Sequence, residues 1–456
     1  EERPVEELIA PPTVDLKATI HDLDSSHLQF AGAANVDYAE PELRDKSQFA
    51  IAEVKKQLGK RYLPYINGEY VQTENFVDSV NPSRSTELIG KVGQISLEQA
   101  QGAIAAAKAA FPAWKKTPVS ERANILRKAA DIMEARRHEL NAWICLETGK
   151  ILKEADPEVS EAIDFCRYYA DEMERLHHGY QVKPDDLSQV QGFKKYDVCG
   201  ETNRYHYQPR GLAVVISPWN FPFAIATGMT VAALVTGNCT LLKPAETSSV
   251  IGAKIAEILI EAGIPKGVFQ FVPGRGSTVG AAMVKHPDVH LIAFTGSREV
   301  GCDIYANAAI VQPGQKHLKR VIAEMGGKNA IIVDDSADLD QAVAGVLHSA
   351  FGYSGQKCSA CSRAIVMEAI HDIFVERLVE AVKSIQVGET DNPRVKMGPV
   401  IDGAAQAKIK DYILKGKEQS KVAFETAVPN NGYYVSPTIF TDVQADQAIA
   451  QEEIFG

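Results

Sequence analysis

Between residues 211 and 295 the chain alternates short apolar runs with helical segments, and this restricts the possible folds more than any other feature of the sequence. The runs are Leu212-Ala213-Val214-Val215-Ile216, Thr240-Leu241-Leu242, Val268-Phe269-Gln270-Phe271-Val272 and Leu291-Ile292-Ala293-Phe294, with helical periodicity over 247–262 and 277–285 between them. A strand apolar on both faces needs cover on both faces, and helices supply it, so the pattern predicts a parallel α/β sheet. A second series follows: Asn329-Ala330-Ile331-Ile332-Val333, a helix over 338–352, Ser362-Arg363-Ala364-Ile365-Val366-Met367 and a helix over 371–385. Ahead of the sheet, apolar residues at helical spacing predict helices over 96–113, 119–147 and 157–177, with Ser120 as the N-cap of the second, after a charged helical stretch over 43–60. Tyr62 to Tyr70 holds aromatic and β-branched residues around Asn67-Gly68, the signature of a hairpin. Residues 180–210 alternate polar with β-branched and aromatic side chains, as an exposed hairpin arm would, and 1–40, with Ala10-Pro11-Pro12, read as a linker or lead-in.

A chain of 456 residues is long enough for two or three domains, and its 23 % charged and 45 % hydrophobic residues fit neither a disordered nor a fibrous class. A net charge of −11, with acidic residues spread along the chain, argues against nucleic acid or anionic lipid as a partner. No apolar run reaches membrane-spanning length, and the opening Glu1-Glu2-Arg3-Pro4 resembles no targeting peptide. The seven cysteines are scattered at 145, 166, 199, 239, 302, 358 and 361, which predicts free thiols and a cytoplasmic location.

Several residues are candidates for chemistry, each with a plainer alternative. Gly274-x-Gly276-x-x-x-Gly280 and Thr295-Gly296-Ser297 follow strands where a backbone could approach a phosphate, although the spacing is not G-x-G-x-x-G and glycines also serve packing. Lys243-Pro244-Ala245-Glu246 offers a cation and a carboxylate to an adenosine ribose, or two solvated charges. Cys358, beside Lys357 in a small polar turn, is a nucleophile or a structural thiol. With Cys361 it also forms half of a zinc or dithiol motif, but no second ligand pair follows, so no metal is expected. Glu324, before Gly326 and Gly327, is a general base or a surface carboxylate. Asn220, in a proline-stiffened loop, is an oxyanion donor or a turn cap. No histidine pairs obviously with Cys358, which leaves a cysteine-protease reading without its base.

The order of these segments carries more than any one of them. Pro218-Trp219-Asn220-Phe221-Pro222, Lys243-Pro244-Ala245-Glu246, Phe294-Thr295-Gly296-Ser297-x-x-Val300-Gly301, Glu324-x-Gly326-Gly327-Lys328, Gly355-Gln356-x-Cys358 and Glu453-Ile454-Phe455-Gly456 together resemble the aldehyde dehydrogenase superfamily over roughly residues 40 to 456. Lys319 to Asn329 and Ser354 to Ala360 look most like the 1-pyrroline-5-carboxylate (L-glutamate γ-semialdehyde) dehydrogenases. The resemblance implies an α/β fold of the aldehyde dehydrogenase type: a Rossmann-like NAD-binding domain over 41–185 and 211–323, an α/β catalytic domain over 324–456, and a small β oligomerisation arm over 186–210.

By the same resemblance Cys358 is the nucleophile, Glu324 the base that activates the deacylating water, and Asn220 with the backbone N–H of Cys358 the oxyanion hole. NAD would be held by Ser217, Pro218, Trp219, Lys243, Glu246, Gly276, Gly296, Ser297 and Val300, with Glu453 and Phe455 at the nicotinamide ribose. Glu246 favours NAD over NADP, because a carboxylate there repels a 2′-phosphate. Glu161, Phe221, Lys357 and Ser359 are the implied substrate contacts. The implied reaction is NAD-dependent oxidation of L-glutamate γ-semialdehyde to L-glutamate in proline degradation; a dehydrogenase for another aldehyde, such as succinate semialdehyde, and a non-catalytic subunit are the alternatives. The family continues past Glu-Ile-Phe-Gly, so the catalytic domain is expected to be incomplete at Gly456. The lead-in resembles the linker after a proline dehydrogenase domain in bifunctional proline-utilisation enzymes, and the arm implies a homo-oligomer.

Overall fold

The structure, a computed structural model, describes residues 30–178 and 207–456. Residues Ala33–Gly456 form one compact unit. The arm expected over 186–210 lies outside the described residues except for 207–210, and the lead-in does so through residue 29.

In chain order the unit runs α1 (Pro41–Lys55), β1 (Lys60–Tyr62), β2 (Tyr65–Ile66), β3 (Glu69–Tyr70), β4 (Asn75–Asn81), β5 (Arg84–Gln94), α2 (Leu97–Trp114), α3 (Val119–Ala135), α4 (Arg137–Thr148), α5 (Leu152–His178), β6 (Leu212–Ile216), α6 (Ala224–Val235), β7 (Cys239–Lys243), α7 (Ser249–Ala262), β8 (Phe269–Phe271), α8 (Ala281–Lys285), β9 (Val289–Thr295), α9 (Arg298–Ala309) and β10 (Arg320–Glu324). It continues with β11 (Asn329–Val333), α10 (Leu339–Phe351), β12 (Cys361–Val366), α11 (His371–Lys383), α12 (Gly403–Gln419), β13 (Lys421–Phe424), β14 (Ile439–Thr441) and α13 (Ala448–Gln451).

The predicted parallel sheet is present, seven-stranded in the order β10-β9-β6-β7-β8-β2-β3. β10, β9, β6, β7 and β8 are parallel, and the β2–β3 hairpin closes the edge antiparallel to β8. β7 and β8 are buried at every position, the polar Thr240, Lys243 and Gln270 included. β6, first of the series, lies between β7 and β9, so the chain winds away from it in both directions. In such a sheet the cleft for a ligand opens at the carboxyl ends of the strands beside that reversal, and here that end leads into Ser217–Pro222. β11 and β12 pair in parallel as a separate two-stranded sheet, packed through Val333 against Val343 and Val346 of α10 and Phe374 and Leu378 of α11.

Several expectations change. Val119–Ala135 begins directly after Pro118, so Ser120 lies inside the first turn and does not cap it. The stretch 119–147 is two helices broken at Arg136 (φ −99°, ψ 14°), beyond which Arg137 reaches Asp156 through two hydrogen bonds of 2.6 and 2.7 Å. A partner nineteen residues away is invisible to local periodicity. The helix expected over 277–285 is α-helical only from Ala281, after a π-type turn at Gly276–Gly280. Strand β5, with Gly90 and Gly93 inside it, was not among the expected elements. A Cβ at Gly90 would lie 2.9 Å from the Tyr62 ring and one at Gly93 2.5 Å from Thr73 Oγ1, so both sites are glycine because neighbours pack onto the backbone.

Candidate active site

The cofactor candidates assemble at the carboxyl ends of β6 to β9. Lys243 ends β7 with only 4 % of its surface exposed. Its ammonium donates to the Pro244 carbonyl at 3.0 Å, the one hydrogen bond it makes among the described residues. Burial pushes it down to about 8, against the pull of nearby Glu246. Glu246 accepts the Gly276 N–H at 3.4 Å, which ties the β7 turn to the β8 turn, and a Cβ on Gly276 would meet nothing within 4 Å. The Ser217 N–H donates to the Lys243 carbonyl at 3.2 Å, bringing in the β6 turn. Ser297 caps α9 by accepting the Val300 N–H at 3.4 Å, and Gly296 donates to the Glu324 carbonyl at 3.1 Å. Val300 is exposed at the start of that helix.

These groups fit a dinucleotide. A buried ammonium with spare donors calls for acceptors such as ribose hydroxyls, a carboxylate beside it offers acceptors in return, and the open backbone at Gly276 and the amino end of α9 suit a pyrophosphate.

Cys358 stands exposed on the loop between α10 and β12, while Cys361 is buried, its thiol pushed up by burial and directed at the Arg363 carbonyl. Among the described residues no His, Cys, Asp and Glu group is placed to hold a metal. The loop enters Cys358 through Tyr353, Ser354 and Gly355 at φ 50°, 54° and 72°. Two non-glycine residues in the left-handed region cost on the order of 1–2 kcal/mol each, and the surroundings hold them there. Tyr353 donates its hydroxyl to the Thr148 carbonyl at 3.1 Å and Ser354 its hydroxyl to the Gly398 carbonyl at 2.8 Å. The Gln356 side-chain oxygen accepts from the Ile401 N–H at 2.9 Å, and Asn329 donates to the Cys358 carbonyl at 2.7 Å.

Asn220 joins this loop directly. Buried to 5 % exposure, it donates its amide to the Gln356 carbonyl at 3.0 Å, two residues before Cys358. The Glu453–Gly456 segment closes the same region: Phe455 meets Trp219 edge-on at 5.5 Å, and Glu453 accepts the Gly327 N–H at 3.2 Å, in the turn that follows Glu324. Glu324 ends β10 with its side chain exposed, and Ser359 is exposed beside Cys358. Lys357 is already committed, its ammonium paired with Glu154. Phe221 packs over the Lys150 ammonium and Glu161 is exposed on α5.

Residues that sequence reasoning passed over hold the site together: Lys150, Glu154, Glu158, Tyr353, Gln356 and Asn329. One signal was available, since Glu154, Glu158 and Glu161 repeat at helical spacing along one face of α5.

A family model described as the aldehyde dehydrogenase family matches residues 70–456, and the chain belongs to that family. Among curated relatives it is 47 % identical over 421 residues to 1-pyrroline-5-carboxylate dehydrogenase 2 of Halalkalibacterium halodurans, covering 92 % of this chain and 79 % of that protein. Among solved structures it is similar to 1-pyrroline-5-carboxylate dehydrogenase from Thermus with bound NAD, at 39 % identity and a TM-score of 0.87 over 94 % of this chain and 81 % of that one. It is also similar to proline utilization A from Bdellovibrio bacteriovorus, at 45 % identity and a TM-score of 0.88; there it covers 94 % of this chain but spans only 43 % of the longer protein.

Proposed function

We propose that this chain oxidises L-glutamate γ-semialdehyde, the open form of 1-pyrroline-5-carboxylate, to L-glutamate with NAD, through a thioester on Cys358. The names and high identity of the relatives support the substrate. The observation that carries the mechanism is the hydrogen bond from Asn220 to the Gln356 carbonyl, which holds an amide donor against the loop of an exposed cysteine.

The Cys358 thiolate adds to the aldehyde carbon. Asn220 Nδ2 and the Cys358 N–H take the oxyanion that develops, where a fixed donor is worth on the order of 10²-fold or more. Lys243 and Glu246 would hold the ribose of NAD, the backbone at Gly276 and Ser297 its pyrophosphate, and Glu453 and Phe455 its nicotinamide end, where the cofactor would supply the hydride acceptor that the adduct needs. Glu324 then draws a proton from water, which attacks the thioester and frees the cysteine. Glu161, Phe221 and Ser359 line the substrate side. Lys357 acts there through its pair with Glu154.

The NAD-binding part is 41–185 with 211–323, and the catalytic part is 324–456. The protein works as a homo-oligomer in the cytoplasm, where unframed cysteines stay reduced. A covalently linked proline dehydrogenase, as the similarity to proline utilization A suggests, would hand the substrate on.

The test is NADH formation at 340 nm with glutamate semialdehyde, succinate semialdehyde and a simple aliphatic aldehyde in parallel. Glutamate semialdehyde is expected to have the highest kcat/KM, and a preference for another aldehyde overturns the substrate. Cys358→Ala is expected to abolish turnover and leave NAD binding intact; retained turnover overturns the thioester.

A further inference from the structure

Lys150 and Glu158 form an ion pair at 2.5 Å with neither side chain exposed to solvent. Such a pair gives little net stability, because desolvation of two charges offsets their attraction. Its placement suggests another use. Glu158 turns its other oxygen to the N–H groups of Phe223 and Ala224, at 2.7 and 3.3 Å, where α6 begins without a side-chain cap of its own. Lys150 turns its ammonium to two aromatic rings, Phe221 at 3.7 Å and Tyr353 at 4.7 Å from their centroids.

Those rings belong to different loops. Phe221 follows Asn220, and Tyr353 opens the left-handed run that leads to Cys358. A desolvated cation over an aromatic face attracts it more strongly than an exposed one does. One ammonium therefore draws the oxyanion loop and the nucleophile loop to a common point, and Glu158 ties that point to the start of α6.

We infer that Lys150, held by Glu158, is a positioning residue that sets the Asn220 amide relative to Cys358. This rests on the proposed roles of Asn220 and Cys358. Both charges lie in the dry interior, and their contacts run to the loops of Phe221 and Tyr353 and to the start of α6 rather than to Lys243 or Glu246, so their effect falls on the rate of the chemical step and spares NAD binding. A misplacement of about 1 Å between reacting groups costs on the order of 10²-fold in rate.

The test replaces both charges together, because Lys150→Met alone would leave the Glu158 carboxylate buried without its cation. In Lys150→Met/Glu158→Gln, kcat is expected to fall on the order of 10²-fold while KM for NAD and the urea midpoint hold. A role in stability alone would move the midpoint and leave kcat per folded enzyme unchanged. A kcat within threefold of the parent in the folded double variant overturns the inference. If the double variant does not fold, Tyr353→Leu is compared with Tyr353→Phe. Both lose the hydroxyl bond to Thr148, but only the leucine loses the ring over Lys150. The leucine variant is expected to be at least tenfold slower, and equal rates overturn the inference. Cys358→Ala run alongside separates the two levels: turnover retained there removes the site reading itself, whereas an inactive Cys358→Ala beside a fully active double variant removes only the role of Lys150.

Discussion

Replacing Lys243 by Met should weaken NAD binding in a way that depends on pH, and the structure supplies the size. The ammonium is 4 % exposed and has fallen from 10.5 to about 8 through burial. At 1.36 kcal/mol per pH unit, holding it charged without a ligand costs roughly 3 kcal/mol. Acceptors on the ribose relieve that cost through charge-assisted hydrogen bonds worth about 1.5–3 kcal/mol, so the Met variant should bind NAD roughly 10- to 150-fold more weakly near pH 7. The sign with pH follows. The charged form binds, and near pH 9.5 a lysine titrating at about 8 is about 97 % neutral, so Kd should rise about ten- to thirtyfold between pH 7 and 9.5. Stability of the unliganded protein should move the other way across pH 8 to 10.5. There the unfolded chain keeps a proton that the folded chain has shed, and stability increases with pH wherever the unfolded state binds more protons. Calorimetric titration with NAD at several pH values, on both proteins, reads the binding, and urea unfolding reads the stability. An equal rise in Kd with pH in the Met variant, or a Kd within threefold of the parent at pH 7, refutes the reasoning.

Two further outcomes bear on the catalytic groups. Asn220→Ala should lower kcat about 10²- to 10³-fold through the lost oxyanion donor, and should cost about 1–3 kcal/mol of stability by leaving the buried Gln356 carbonyl unpaired; a folded variant within tenfold of the parent kcat speaks against the oxyanion role. Glu324→Gln should slow thioester hydrolysis about 10²- to 10⁴-fold, giving a burst of NADH equal to the enzyme and an acylated Cys358 peptide by mass spectrometry. Steady turnover at the parent rate without a burst rules Glu324 out as the base.

Much of this protein was legible because its information is local. The unbroken apolar run of β6 can survive only inside a covered sheet, and Asn67-Gly68 suits a tight hairpin turn whatever surrounds it. The ordered motifs from Pro218 to Gly456 were enough to name a family and to single out Cys358 as a candidate nucleophile. What local reading lost were elements whose cause lies elsewhere in the chain. β5 went unanticipated, and its Gly90 and Gly93 lie where Tyr62 and Thr73 pack onto the backbone. The helix expected over 119–147 divides at Arg136, where Arg137 turns to Asp156.

The site divides the same way. Sequence by itself picked out the side chains suited to the proposed chemistry: a thiol at 358, a carboxylate at 324, an amide at 220, a lysine and a glutamate around Pro244. Tertiary structure decided what each one does with it. Lys357 looked like a cation free for the thiolate or the substrate, yet it is paired with Glu154. Lys243 looked like a solvated charge and is buried, with a single hydrogen bond among the described residues. Lys150 drew no notice in a Thr-Gly-Lys turn, and its ammonium sits between the rings of the two reactive loops. The physical reason is desolvation. A charge is a weak, screened contact at the surface and a strong, directional one in a dry interior, and burial is a property of the fold that no stretch of sequence states for itself.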